Sequence, residues 1–361
     1  MEGEKDEAVI LLFGGENAER FVSVASAQNL LRALPDASVR PWFWAPDGTI
    51  HLTDAEQLSK HQDPFTKPFE PASALSRPNL DAALADQAGT PITLLPALHG
   101  IGVEDGKLQR VLEERGIAFT GSGSAASALA FNKVQAKARV QSHGIATTPV
   151  LLAEGTDLVK ARREMSDWLN HYGALVMKPT ADGSSFGLHF VNTDKDVETA
   201  LAALRKDPRT YMVEPKLHGT ELAVGVIEHD GRLQALPCTQ VKLASDRCFD
   251  YAGKYLGDGV EEITPAQVDE SIARAARRMA LQAHKALGCR GYSRTDLIAA
   301  AQGLVFLELN TLPGLSERSF IPQQLAAAGV SMREFVREQL SIARASALSQ
   351  HGFAATLMQK R

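Results

Sequence analysis

The chain has 361 residues, a formal net charge of -5, and 44% hydrophobic and 22% charged residues. Such a chain suits two or three domains with well-formed cores and excludes a disordered or low-complexity polypeptide. No run of residues is apolar and long enough to predict a membrane span, the start MEGEKDEAVI lacks the layout of a secretory signal, and no concentrated basic segment predicts a nucleic-acid surface. The expectation is a cytoplasmic globular protein that binds neither membrane nor nucleic acid. Cys238, Cys248 and Cys289 form no CxxC and read as buried or incidental thiols.

In chain order, Ala8 to Phe13 predicts a buried strand, and Gly14-Gly15 a tight turn before an amphipathic helix from Ser23 to Leu34, the opening of a parallel α/β unit. His51 to Pro91 reads as connecting structure. Ile92 to Leu98 predicts another strand, leading through LHGIGVEDG into a helix, KLQRVLEERG, that ends at Gly116. ALVMK predicts a strand ending at Lys178, and the small residues of Gly183-Ser184-Ser185-Phe186-Gly187 allow backbone N–H groups to close over phosphates. This is not a Walker A motif, and Gly14-Gly15-Glu16 does not complete GxGxxG, so a dinucleotide fold is not predicted. Alone, the loop fits a plain hairpin turn better. Glu214 ends one predicted strand and Glu221 begins the next, an arrangement in which the backbone from Glu214 to Leu217 could read adenine while a carboxylate takes ribose hydroxyls, although alone the two glutamates fit solvated strand ends better. A long helix is predicted from Thr264 as N-cap, Pro265 at the first helical position and Gln267 in a capping box, with an apolar stripe from Ile272 to Leu287 and closure at Gly288.

The densest chemistry lies between Gly291 and Ser319. GYSRTDL and VFLELN predict two strands joined by a turn at Gln302-Gly303, with Arg294 and Asp296 on one face and Glu308 and Asn310 likewise together. Asp296, Glu308 and Asn310 are hard oxygen ligands of the kind magnesium takes beside a nucleotide. Alone, they fit an ordinary acidic surface hairpin as well.

Taken together, these blocks resemble the ATP-grasp superfamily and, within it, the D-alanine:D-alanine ligases. GGENAERFVSVASA, LHGIGVEDGKLQRVLEERGIAFTGSG, KPTADGSSFG, FDYAGKY, GCRGYSRTDL and LELNTLPGLSERS follow the family's order over nearly the whole chain. The resemblance implies an α/β ATP-grasp fold: an N-terminal parallel α/β domain (1–122), then two α+β domains that enclose the nucleotide (123–217 and 218–361). It implies ATP as cosubstrate, two magnesium ions with Mn2+ as a substitute, small amino-acid substrates and a homodimer. Lys133, Lys178, Ser185 and Lys254 would contact phosphates, and Glu214, Leu217 and Glu221 would hold adenine and ribose. Asp296, Glu308 and Asn310 would bind the metal. Glu19, Ser184 and Tyr255 would tie the FDYAGKY loop over the first amino acid, with His99 near its carboxylate. Arg294 and the Gly314 backbone would stabilise the oxyanion, and Ser319 would take the second carboxylate.

The expected activity joins two D-alanines for peptidoglycan synthesis. A paralogue joining a different amino or hydroxy acid, and a nucleotide-binding regulator without turnover, are the alternatives. Some positions depart from the family pattern. Asn132 replaces an aspartate, Phe186 a small aliphatic residue, and Arg318 and Phe320 replace a histidine and an aliphatic residue beside Ser319. The last two are expected to crowd the acceptor pocket. The tail from Ser341 to Arg361 runs past the family's core.

Overall fold

A computed structural model describes residues 8–17, 19–35, 39–72, 74–183, 187–243 and 260–358. The first sheet is built from β1 (Ala8–Gly14), α1 (Arg20–Ala33), β2 (Val39–Trp44), β3 (Ile50–Leu52), α2 (Ala55–Lys60), β4 (Ser76–Arg77), α3 (Leu80–Ala85), β5 (Ile92–Pro96), α4 (Lys107–Glu114) and β6 (Ala118–Phe119). Its order is β4-β3-β2-β1-β5-β6, parallel from β2 to β6 and antiparallel at the β3 and β4 edge. The central strand is apolar throughout because both its faces are covered. Val9, Leu11 and Phe13 enter one core with Val24, Ala27 and Leu30 of α1, while Ala8, Ile10 and Leu12 enter another with Trp42, Leu80 and Leu94.

Two helices, α5 (Ser124–Phe131) and α6 (Lys133–Gln141), lead to a second sheet formed by β7 (Leu151–Ala153), α7 (Leu158–Tyr172), β8 (Leu175–Pro179), β9 (His189–Val191), α8 (Asp194–Lys206) and β10 (Tyr211–Pro215). Its strands lie antiparallel in the order β7-β10-β8-β9. The third sheet comprises β11 (Gly219–His229), β12 (Arg232–Ala235), β13 (Thr239–Leu243), β14 (Val260–Ile263), then, after α9 (Glu270–Ala286), β15 (Tyr292–Ala300) and β16 (Gly303–Asn310). The order is β14-β13-β11-β15-β16 with β12 on β11. The chain closes with α10 (Phe320–Ala327) and α11 (Met332–Met358). Phe335, Val336 and Leu340 of α11 and Leu312 and Leu315 join the core of α1 and β1, so the chain's end packs on its beginning. Arg290 reinforces this joint by donating to the carbonyls of Gly121 (2.9 Å) and Phe119 (3.0 Å).

Three expectations change. The segment from His51 to Pro91 is not mere connection: it holds β3, α2, β4 and α3, with Leu58 and Leu84 buried. The first helix begins at Arg20 rather than Ser23 and is buried along most of its surface, since the sheet and later helices enclose it. The Thr264 capping box does not form. Thr264 instead shares a hydroxyl contact with Thr239 at 2.6 Å, the Ala266 N–H donates to the Cys238 carbonyl, and α9 starts at Glu270. Tertiary partners outside the segment thus outcompete the local cap. The tail from Ser341 continues α11, where Ala343 is buried and Arg344 Nε donates to Thr93.

The close approach that ends β1 depends on Gly14. Its φ is 101°, and a Cβ there would collide with the Trp44 carbonyl and the Phe43 ring. Gly14→Ala is expected to lower the unfolding free energy by about 2 kcal/mol or more, read from the urea midpoint.

Candidate active site

The hairpin of β15 and β16 sets Arg294 opposite Asn310 and Asp296 opposite Glu308, with an irregularity after Asp296. Leu297 and Leu309, on the other face, pack into the core with Ala276, Ala280 and Ala283 of α9. Alternation therefore leaves four polar side chains together on one face. Arg294 donates through Nε and Nη2 to the two Asp296 oxygens at 2.8 and 2.7 Å. Its guanidinium lies over the Phe320 ring, 5.4 Å from the centroid. Glu308 Oε2 is 3.3 Å from the ammonium of Lys133, and Asn310 Oδ1 accepts from the Leu312 N–H at 2.8 Å.

Arg294, Glu308, Asn310 and Lys133 face a cleft whose lining also includes Glu19, His99, Glu104, Asp182, Gly183 and Gly314. Glu19 stands at the start of α1, its N–H donating to Asn17 Oδ1, while Asn17 Nδ2 donates to the His99 carbonyl at 2.9 Å. The turns after β1 and β5 are thereby fixed to one another. Gly183 lies so close to Glu19 that a Cβ there would be 3.2 Å from Oε2. His99 donates from Nδ1 to the Leu312 carbonyl at 3.1 Å and lies 3.8 Å from Glu104, whereas its buried Nε2 has no hydrogen-bond partner among the described residues. Burial would lower the His99 pKa, but Glu104 and, more distantly, Glu19 outweigh it and raise it above the ordinary histidine value.

Behind the cleft, α6 starts at Asn132, whose side chain caps it by accepting from the Gln135 N–H at 3.1 Å. An amide caps as well as a carboxylate, which accounts for asparagine here. The next residue, Lys133, donates to the Asp182 carbonyl at 2.6 Å. Asp182 is ion-paired to Arg209, which also chelates Asp207. Lys178, on β8, reaches Glu214 Oε1 on β10 at 2.7 Å. Lys137 and Thr148 both donate to Glu214 Oε2. Burial would raise the Glu214 pKa, but the two ammonium groups hold it down at about 2, so it is ionised. Burial likewise opposes the charge on Lys178, and Glu214, Glu308 and Glu221 overcome it to raise that pKa. On Lys137, burial prevails and lowers it.

Of the residues singled out in the sequence, Glu19, His99, Lys133, Arg294, Glu308, Asn310 and Gly314 come together in the lining. Asp296 joins them through Arg294. Leu217 and Glu221 are partly exposed, in the turn after β10 and on β11. Ser319 heads α10, its Oγ 2.8 Å from Ser316 Oγ, beside Gly314. Ser184, Ser185, Phe186, Cys248, Lys254 and Tyr255, with the FDYAGKY loop, lie outside the described residues. Phe320 is buried with Ala223 and Val241, and the Arg318 guanidinium lies 5.4 Å from the Phe65 ring centroid. Neither is among the cleft lining. Burial pushes the Cys238 and Cys289 thiols up, to about 11 and about 12. Lys137, Glu104 and Arg209 were not singled out. The spacing of Lys137 was a usable signal, because a lysine four residues after Lys133 shares its helix face.

The donor set suits magnesium. Two carboxylates and an amide oxygen share one face of the hairpin, and a carboxylate has lone pairs to spare beyond those Arg294 uses on Asp296. When bound, the ion would neutralise charge on phosphate oxygens.

Residues 8–122 match the family described as the D-ala D-ala ligase N-terminus, and residues 140–341 match the D-ala D-ala ligase C-terminus. A D-alanine–D-alanine ligase of Leptospira interrogans is 32% identical over 351 residues, covering 92% of this chain and 97% of its own. The enzyme of that name from Nitrosospira multiformis is 35% identical over 337 residues, covering 93% and 96%. Among solved structures, the VanG D-Ala:D-Ser ligase from Enterococcus faecalis superposes with a TM-score of 0.81 at 25% identity, over 94% of this chain and 100% of that one. The D-alanine-D-alanine ligase from Coxiella burnetii has the same fold, with a TM-score of 0.81 at 20% identity over 99% of both chains. The chain belongs to the D-alanine–D-alanine ligase family, and it is an ATP-grasp ligase of that kind. The family uses ATP and Mg2+ on small amino-acid substrates.

Glu308→Gln, which removes charge but no volume, should lower magnesium-dependent ATP turnover by about 100-fold or more and leave the circular dichroism spectrum unchanged. Wild-type turnover in a folded variant would refute the metal assignment.

The Glu214 carboxyl titrates near 2 in the fold against an ordinary 4.5. Its ionised form is therefore the one the fold favours. Its stabilisation should be complete above pH 4.5 and be lost as pH falls from 4.5 towards 2. The stability gap between wild type and Glu214→Gln, followed by chemical denaturation at several pH values, should shrink over that window.

Proposed function

We propose that this protein joins two D-alanines, with ATP and two magnesium ions, to give D-alanyl-D-alanine for peptidoglycan synthesis. The observation that carries the reading is the convergence of Arg294, Glu308 and Asn310 from one hairpin face, with Asp296 paired to Arg294, on a cleft that also holds Glu19, His99 and Lys133. A carboxylate does not accept an amine directly. Its oxygen first attacks the terminal phosphorus of ATP, releasing ADP and leaving an acyl phosphate. The uncharged amine of the second amino acid then attacks the acyl carbon, its spare proton is released, and the tetrahedral intermediate expels phosphate. Such transfer rests on positioning and charge neutralisation, which lysines, arginine and backbone donors supply.

In this reading Glu19 faces the first substrate's ammonium and His99, raised towards its charged form, faces the carboxylate. Lys133 and Lys178 hold phosphates, as do Ser185 and Lys254. Glu221 takes the ribose while the Glu214 to Leu217 backbone reads adenine. Arg294 and Gly314 stabilise the oxyanion. Ser319, at the head of α10, takes the acceptor carboxylate, where a helix N-terminus favours an anion. Ser184 and Tyr255 tie the loop that keeps water from the acyl phosphate. The reading divides the chain into 1–122, 123–217 and 218–361, and it has a homodimer working in the cytoplasm.

D-Alanine is preferred as acceptor because Phe320 turns into a core beneath Arg294 and Arg318 turns to Phe65, so neither departure narrows the cleft. A second reading, with D-serine as acceptor, is favoured by the likeness to the VanG enzyme. Phosphate release and product mass spectrometry with D-alanine, D-serine, D-lactate and their L-forms decide between them. Efficient D-alanyl-D-alanine synthesis is expected, changed less than about threefold by Arg318→His with Phe320→Leu. Poor dipeptide synthesis that the double substitution improves would overturn D-alanine as acceptor.

A further inference from the structure

Lys137 is 3% exposed, and its ammonium donates to the Thr148 hydroxyl at 2.6 Å as well as to Glu214. With Thr148 it occupies Glu214 Oε2, while Lys178 takes Oε1 at 2.7 Å. Two buried ammonium groups thus share one carboxylate, and these three hydrogen-bonded groups by themselves sum to a charge of plus one. Such a surplus is costly in a water-poor site unless an anion meets it. The other carboxylates acting on Lys178 are Glu308 and Glu221, one at the metal face and the other on β11. If Lys137 were neutral, Glu214 would cancel Lys178 outright.

We propose that Lys137 is a positioning residue for the nucleotide: by sharing Glu214 it keeps the Lys178 ammonium from being neutralised and leaves that charge for the phosphates of ATP. The inference rests on the ligase reading above and adds to it a residue that itself touches no substrate. It also gives Glu214 a second task, since its carboxylate sets how much positive charge the phosphates meet.

The charge balance makes the test specific. Lys137→Met takes the cluster from a charge of plus one to zero, and Lys137→Met with Glu214→Gln returns it to plus one on Lys178 alone. The single variant should raise the KM for ATP, and the Kd for MgADP measured by isothermal titration calorimetry, by about tenfold, with kcat nearly unchanged. The double variant should bring both constants back to within about threefold of wild type. A merely structural role predicts instead that the changes in the two constants track the loss of unfolding temperature in each variant and not the charge left on the three groups. Thermal unfolding checks that each variant is folded. Should Lys137→Met not fold, Lys137→Gln, which drops the charge and keeps a donor for Thr148, carries the same comparison. Unchanged MgADP binding in the folded single variant, or a double variant no tighter than the single, overturns the proposal. Failure of wild type to bind MgADP overturns both it and the nucleotide reading beneath it.

Discussion

Two carboxylates set opposite one another on a sheet face repel, and the register of β15 with β16 imposes that on Asp296 and Glu308. The site exists because cations from elsewhere answer this charge. Arg294, two residues along the same strand, chelates Asp296, and Lys133 approaches Glu308 from α6. Lys133 can do so because Asn132 caps its helix and Asp182 receives its ammonium. The hairpin's repulsion is thus answered from its own strand, from α6 and from the turn after β8, and the same arrangement leaves oxygen ligands facing a cleft.

The arginine illustrates how packing and chemistry are joined. Its guanidinium rests on the Phe320 ring, which is itself held in a small core with Ala223 and Val241. A planar cation on an aromatic face loses little orientational freedom and keeps its edge for hydrogen bonding. Phe320, a departure from the family's aliphatic pattern, therefore supports a neighbouring group. Arg318 likewise reaches the Phe65 ring, in a segment whose sequence predicted only connection.

Burial also sorts the titratable groups. His284 lies inside α9, with Nδ1 2.7 Å from the Ser293 hydroxyl, and desolvation takes its pKa down to about 4, so it is a neutral core residue. His99 is buried too, but Glu104 and Glu19 turn its shift upward. Residue type does not distinguish the two histidines; the carboxylates around them do.

Much of this was legible in the sequence, because it depends on local periodicity. The apolar run of β1, the two-residue alternation of β15 and β16, and the left-handed glycines at Gly116 and Gly288 are each decided by neighbouring residues, and the structure has them there. The order of motif blocks likewise sufficed to indicate the family. What sequence alone did not contain were outcomes of competition between distant segments. Thr264 had a complete local capping signal, yet Thr239 and Cys238 claimed its neighbourhood and α9 began later. Lys137 carried no mark in the sequence of the burial that Thr148 and Glu214 impose on it. Phe320 was read against its chain neighbour Ser319, whereas the side chain's place was decided by Arg294 and β11. Local spacing decides which face a side chain takes. Only tertiary packing decides what meets it there, because the partners come from segments far away in the chain.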